Sequence, residues 1–205
     1  MICNGHIYGV ILNDSRELAR LAPAFQEKPY LAPPVAPVVY MKPASTMSHG
    51  TVRLKPGEQA VAAATLALLI ARDATGVSPD QAMACIGAAA LAIDITYPQA
   101  DYYRPAVAQR NADTFLVMGD WGSPALADRI TTMIDGQAAH NWSLDRLARS
   151  PDRLIADISA FLTLRAGDVL LVGLPGDAPQ VGAGVTLRAE AAGFAPAVAR
   201  VEETT

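Results

Sequence analysis

Thiols are scarce in this sequence and positive charge is never concentrated, and these two scarcities narrow the chemistry first. Cys3 and Cys85 are the only cysteines in 205 residues. They stand far apart without metal-ligand spacing, so both are expected as unpaired packing thiols in a reducing cytoplasm. Lysines and arginines are scattered and the net charge is -4, which speaks against nucleic acid and anionic membrane as partners. The longest apolar run, Ala60 to Ala71, is about a dozen residues, whereas a membrane-spanning helix requires roughly 20. The opening MICNGHIYGVILND has no basic stretch ahead of its apolar one and reads as a first strand rather than a signal peptide. His6, His49 and His140 are too far apart for a helical zinc pair. No serine sits in a strand-to-helix elbow, so Ser143 and Ser150 read as helix caps rather than nucleophiles. No internal repeat is visible.

What the chain does contain is core-forming material. It is 51% hydrophobic with mean hydropathy +0.21, which is sufficient for a single domain spanning 1–205. Alternation and β-branched residues predict strands near His6 to Leu12, Pro37 to Met41, Ala63 to Ala71, Ala88 to Ile95, Ile130 to Ile134, Asp168 to Val172 and Val185 to Ala189. Ser78-Pro79-Asp80 and Ser150-Pro151-Asp152 each read as a helix start, with a capping hydroxyl, a proline in the first turn and a dipole-matched acid. After the second, Leu154, Ile155, Ile158, Phe161 and Leu162 form an apolar stripe that should dock on a sheet. Asp135-Gly136 marks a hairpin, because both central positions of such a turn need positive φ. Ala166-Gly167-Asp168 marks a second turn. The proline-rich stretch from Glu27 to Pro43 is expected to be an extended connection until Val38, and GLPGDAPQVGAG to be a plain loop. The predicted class is α+β and β-rich, with one or two short helices laid against the strands.

Chemistry-bearing residues stand at strand ends. Asp94 closes the apolar run AAALAID, where a lone carboxylate must find a cation, donors or water. Lys42 closes PVVYM, and Arg110 and Asp113 follow a Tyr-Tyr-Arg-Pro segment; by themselves all three read as solvated charges. His140 is expected on the hairpin surface. In the run Val61 to Asp73, the same-side positions Ala63 and Thr65 carry no acid.

The order of motifs ties these residues together. Leu12-Asn13, Lys42-Pro43, the strand at 65–71, Ile93-Asp94, Asp113-Thr114-Phe115, Gly167-Asp168 and Gly173-Leu174-Pro175 resemble, in register, the fumarylacetoacetate hydrolase family. PYLAPP, the Glu58 of PGEQAV and DITYPQADYYRPAV are similar to its isomerase/decarboxylase branch, which works in 4-hydroxyphenylacetate (homoprotocatechuate) breakdown. There, this chain would correspond to one half of a two-part enzyme.

The resemblance implies a layered β-sheet roll and a small acidic substrate, an unsaturated 2-oxo dicarboxylate. It also implies a divalent magnesium or manganese held by a Glu-x-Glu strand and one aspartate. On this chain the two glutamates fall at Ala63 and Thr65, and only Asp94 remains, so the expectation is no tight metal site here. The ion is expected instead in a same-fold catalytic subunit that associates with this one, unless the chain forms a homo-oligomer. The family's water-activating histidine is missing after Leu12-Asn13, its loop lysine is Arg110, and the threonine of its Gly-Thr-Pro is Leu174. The expected catalytic residues are Asp94, as a base, and Arg110, holding a carboxylate, with Lys42 and Asp113 binding substrate. The alternative is a non-catalytic structural subunit that stabilises its partner.

Overall fold

The computed structural model describes residues 5–204, so Cys3 lies outside the described residues. In chain order the elements are β1 (Ile7–Ile11), α1 (Ser15–Leu21), β2 (Val38–Lys42), β3 (Met47–Ser48), β4 (Thr51–Leu54), β5 (Ala60–Ile70), α2 (Pro79–Ala82), β6 (Ile86–Thr96) and α3 (Val107–Arg110). There follow β7 (Leu116–Met118), β8 (Arg129–Ile134), β9 (Gln137–Ser143), α4 (Pro151–Ser159), β10 (Val169–Leu171), β11 (Gln180–Val181), β12 (Thr186–Glu190) and β13 (Ala197–Glu203). The β-rich α+β class predicted from the pattern is what the chain adopts, with four α-helices of nine residues or fewer among the described residues.

The strands form two sheets. One runs β2-β1-β10-β5-β6-β7-β3, with β11 also pairing β5, and the other runs β4-β13-β12-β8-β9. β2 and β3 are separated by only residues 43–46 yet occupy opposite ends of the first sheet. So short a link joins the two edges only if the sheet curls back on itself, and the result is a roll.

Alternation along the long hairpin β5–β6 decides what faces where. Ala62, Ala64, Leu66, Leu68 and Ile70, with Leu91, Ile93 and Ile95 of β6, pack into the large core shared with the second sheet and with Leu154, Ile155 and Ile158 of α4. The other face turns into the roll. There Ala67, Leu69, Ala88, Ala90 and Ala92 meet Ile7, Leu116, Val169 and Leu171. Alanines dominate because a closed roll leaves little space inside. Ala63 pairs across the strands with Asp94, and Thr65 with Ala92, so all four continue this inner face toward one mouth of the roll.

The hairpin at Asp135-Gly136 forms with φ of 49° and 79°, the positive pair its turn demands. Gly167, at φ 98°, makes the second turn. Three expectations are corrected. α4 ends at Ser159, so Phe161 lies past the helix and is 62% exposed. The proline-rich connection folds into turns instead of running extended, and the Tyr30 hydroxyl inside it accepts the Tyr102 N–H. The Gly-Pro loop is not plain either: Gln180–Val181 forms β11, and the residues before it wall a cavity.

Candidate active site

Leu12 stands in the left-handed region at φ 55°, which turns the chain sharply between β1 and α1. Asn13, fully buried, then donates to Val172 O at 2.8 Å and Arg149 O at 3.0 Å and accepts Arg149 N–H at 2.8 Å. That fixes the start of α1. Asp14 caps the helix by accepting Arg16 N–H. It also accepts Gly176 N–H at 2.9 Å and two donors from Arg146, Nε at 3.0 Å and Nη2 at 2.5 Å. The same guanidinium holds Asp177, whose Oδ1 lies 2.9 Å from His140 Nε2. The His140 side chain is only 11% exposed, so it belongs to this latch and not to an open surface, correcting the expectation. The latch clamps the loop after β10 onto α1 so closely that a Cβ on Gly176 would fall 2.5 Å from Glu17 Cβ.

Between α1, that loop, β5 and residues 96–102 lies a cavity of about 420 Å³. Glu17, Ala63, Thr96, Tyr102, Arg110 and Leu174 are among its walls. Glu17 is 5% exposed and accepts the Tyr102 hydroxyl at 2.6 Å. Burial pushes its carboxyl above the usual range, against the opposing pull of the Tyr102 hydrogen bond, Arg20 and Arg110. Burial and the neighbouring Glu17 likewise raise the Tyr102 phenol. No local signal in the sequence marks Glu17 as a site residue, since a glutamate in the first turn of a helix reads as a dipole-matched surface acid.

Arg110 is 7% exposed. Its Nη1 donates to Thr96 Oγ1 at 3.2 Å and its guanidinium lies over the Tyr40 ring, 4.9 Å from the centroid. Among the described residues no carboxylate forms an ion pair with it. A buried guanidinium without a counter-ion, lining a cavity, is an anion site in want of an anion.

Asp94 and Lys42 stand behind this wall instead of in it. Asp94 is fully buried: Oδ2 accepts the Tyr40 hydroxyl at 2.5 Å, and Oδ1 accepts Thr96 Oγ1–H at 3.3 Å and lies 3.2 Å from Lys42 Nζ. Lys42 is no solvated strand end. Its ammonium donates to Arg110 O at 2.6 Å and Phe115 O at 2.9 Å, with Ile95 O at 3.4 Å, and together with Asp94 these partners use all its donors and tie β2 to β6 and the start of β7. Burial lowers its pKa, with Asp94 pulling the other way. Tyr40 reaches Asp94 across β1 only because its strand partner is Gly9, where a Cβ would fall 2.1 Å from the ring. Asp113 is exposed and lines neither this cavity nor the smaller one described below. Thus the structure brings Asp94, Lys42 and Arg110 together and leaves Asp113 aside.

At the positions facing Asp94, Ala63 offers a methyl, and the Thr65 hydroxyl donates to Gly173 O at 2.6 Å. Among the described residues no group of three or more His, Cys, Asp or Glu side chains is placed to hold a metal ion. None of the described helices is long and apolar enough to cross a membrane.

The profile described as Fumarylacetoacetate (FAA) hydrolase C-terminal matches residues 6–202. Among curated relatives, a 4-hydroxyphenylacetate degradation bifunctional isomerase/decarboxylase from Escherichia coli is 34% identical over 196 residues, 94% of this chain and 46% of that protein. A homoprotocatechuate catabolism bifunctional isomerase/decarboxylase, also from Escherichia coli, is 33% identical over the same shares. The chain therefore spans about half the length of these relatives. Of solved structures, the 5-carboxymethyl-2-hydroxymuconate delta-isomerase from Mycobacterium smegmatis superimposes with TM-score 0.83 at 21% identity, covering 99% of this chain and 78% of that one. A fumarylpyruvate hydrolase from Pseudomonas aeruginosa, in complex with Mn2+ and pyruvate, gives TM-score 0.81 at 18% identity, covering 98% and 90%. At such identities the structures speak for the fold alone.

Proposed function

The chain belongs to the fumarylacetoacetate hydrolase family, and on that premise we propose that it is a subunit of an isomerase/decarboxylase handling unsaturated 2-oxo dicarboxylates from 4-hydroxyphenylacetate breakdown, with its own metal site lost. Arg110 carries the reading: a buried cation that forms no ion pair among the described residues, opening on a cavity beside a carboxyl whose proton affinity is raised.

In this proposal Arg110 receives a substrate carboxylate through parallel N–H donors. Thr96, hydrogen-bonded to Asp94, keeps the guanidinium turned to the cavity, while Lys42 fixes the Arg110 backbone from behind. Asp94 thereby acts through Arg110 rather than on substrate. Glu17 moves the proton: as carboxylate it takes one from the enol or the adjacent carbon, and as acid returns it at the far end of the conjugated system, so the double bond migrates with no net change of atoms. Burial raises its pKa, which strengthens it as a base when ionised. Tyr102 holds it in place.

The family's divalent ion does not fit this donor set. A methyl and a committed hydroxyl replace two carboxylates, and the third faces an ammonium 3.2 Å away, a like charge that opposes a second cation. Proton transfer by Glu17 in this chain needs no metal of its own; a same-fold partner, equivalent to the remaining half of the relatives, supplies the ion. A second reading, a purely structural subunit, is favoured by the way Asp94 is neutralised internally by Lys42 and Tyr40.

The assay uses this chain, the partner and their mixture on a 2-hydroxydienoate dicarboxylate. Arg110→Met and Glu17→Gln in this chain are expected to lower tautomerisation by the mixture at least tenfold, the loss of one charged hydrogen bond or one proton carrier. Unchanged rates in both variants leave the structural reading. A manganese titration of the chain alone is expected to give no saturable site in the micromolar range; a tight site there would overturn the lost-metal reading.

A further inference from the structure

A second cavity of about 350 Å³ lies on the other side of Arg110, between β2 and residues 102–111. The two cavities share Ile11, Gln99, Tyr102 and Arg110 but differ in character. The larger is lined by Glu17, Arg20 and Asp101, whereas the smaller is built mostly from Val38, Tyr40, Met41, Tyr103, Pro105 and Val107, with Arg104 a second cation beside Arg110. Its walls are thus mainly aliphatic and aromatic, suited to a flat apolar body with an anionic group.

Two further features mark it as a ligand site. Gln99 and Asn111 line it, and their amide oxygens, Oε1 and Oδ1, are buried and accept no hydrogen bond from the described residues. Buried acceptors without donors are costly, and a ligand that supplies a donor recovers that cost. Arg110, likewise buried and without a carboxylate partner, supplies the cation.

We infer that this smaller cavity binds an aromatic carboxylic acid bearing a hydroxyl group, its ring between Tyr40 and the Tyr103 to Val107 segment, its carboxylate on Arg110 and its hydroxyl donating to the amide oxygen of Asn111 or Gln99. Because one guanidinium serves both cavities, occupancy of the smaller weakens dicarboxylate binding in the larger, and the reverse holds equally. The inference rests on Arg110 as the anion anchor of the proposed function, but on no reaction.

Calorimetric titration of the full chain tests it, with 4-hydroxyphenylacetate and phenylacetate as aromatic probes and 2-oxoadipate as the dicarboxylate. 4-Hydroxyphenylacetate is expected to bind saturably and about tenfold more tightly than phenylacetate, the value of one recovered buried hydrogen bond. Val107→Trp, at an exposed rim position lining only the smaller cavity, is expected to abolish aromatic binding and spare 2-oxoadipate. Asn111→Ala should narrow the preference for the hydroxylated probe, and saturating 2-oxoadipate should raise its apparent Kd. Absence of saturable binding, equal affinity for the two aromatic acids, or binding unaffected by Val107→Trp would each overturn the assignment. If the aromatic probes behave as expected and 2-oxoadipate does not bind, the smaller site stands and the proposed reading of the larger cavity falls.

Discussion

Glu17 and Lys42 are both buried ionisable side chains beside Arg110, yet their environments push them in opposite ways. Glu17 has a raised pKa, so the folded state holds its proton more firmly than the unfolded chain does. The stability this gives is complete below the unfolded value and is lost as pH rises through the raised folded one. Glu17→Gln should therefore flatten that decline, with its stability relative to the native protein improving from pH 4 to pH 8 in urea denaturation. A steeper decline in the variant would contradict the buried carboxyl. In the tautomerisation assay the native rate should climb as pH rises above the ordinary carboxylate range and the base form appears. Lys42 is a partner whose removal strands a charge. Lys42→Met leaves Asp94 fully buried with only hydroxyl donors, at a cost of about 3–5 kcal/mol. The double change Lys42→Met with Asp94→Leu should recover most of it, and a cycle in which the two losses simply add would show that the pair does not interact.

At the scale of elements, the site is an assembly of segments that are remote in sequence and held by one ion cluster. Arg146 bridges the N-terminus of α1 to the loop after β10 through Asp14 and Asp177. Hydrogen bonds to both acids raise its pKa, overcoming a desolvation effect that acts the other way, so it stays charged at any working pH. Arg146→Met leaves Asp14 buried with backbone donors alone, with an expected loss of about 3–5 kcal/mol of stability. The freed loop should also become newly susceptible to proteolysis around Pro175 to Ala178. A variant with native stability and an uncut loop would show that the clamp is decorative. Gly176 could not be exchanged cheaply in this arrangement, since Glu17 occupies the space a side chain would need.

For the whole molecule, the two faces of the β5–β6 hairpin set opposite demands. Leu91 points into the wide core between sheets and Ala90 into the narrow roll. Leu91→Ala should cost about 2–5 kcal/mol by leaving a cavity, whereas Ala90→Leu should cost about 1–3 kcal/mol by overfilling a closed space. Thermal or urea unfolding measures both; an Ala90→Leu variant of native stability would mean that the roll is open inside.

The hydrophobic pattern alone located seven strands within a residue or a few of their final bounds, the Asp135-Gly136 hairpin and the start of both Ser-Pro-Asp helices, because period and turn chemistry are local properties. β13 carries the same alternation, with Ala197, Ala199 and Val201 buried between exposed neighbours, but small alanines and a polar end make that signal weak. The short strands β3, β7 and β11 were not legible, since two or three residues carry no period and pair only because the roll brings a partner alongside. The motif order also grouped Asp94 with Ala63 and Thr65 as the family's three ligand positions. What no local signal contained was the company each charge keeps. Lys42 and Arg110 look alike at the ends of their segments, both candidates for solvent or substrate. Only the curling of β2 onto β6 and β7 turns Lys42 inward, where backbone carbonyls and Asp94 consume its donors, and leaves Arg110 facing two cavities with no acid of its own. Burial and distance are products of closure, and closure sums contacts across the entire chain.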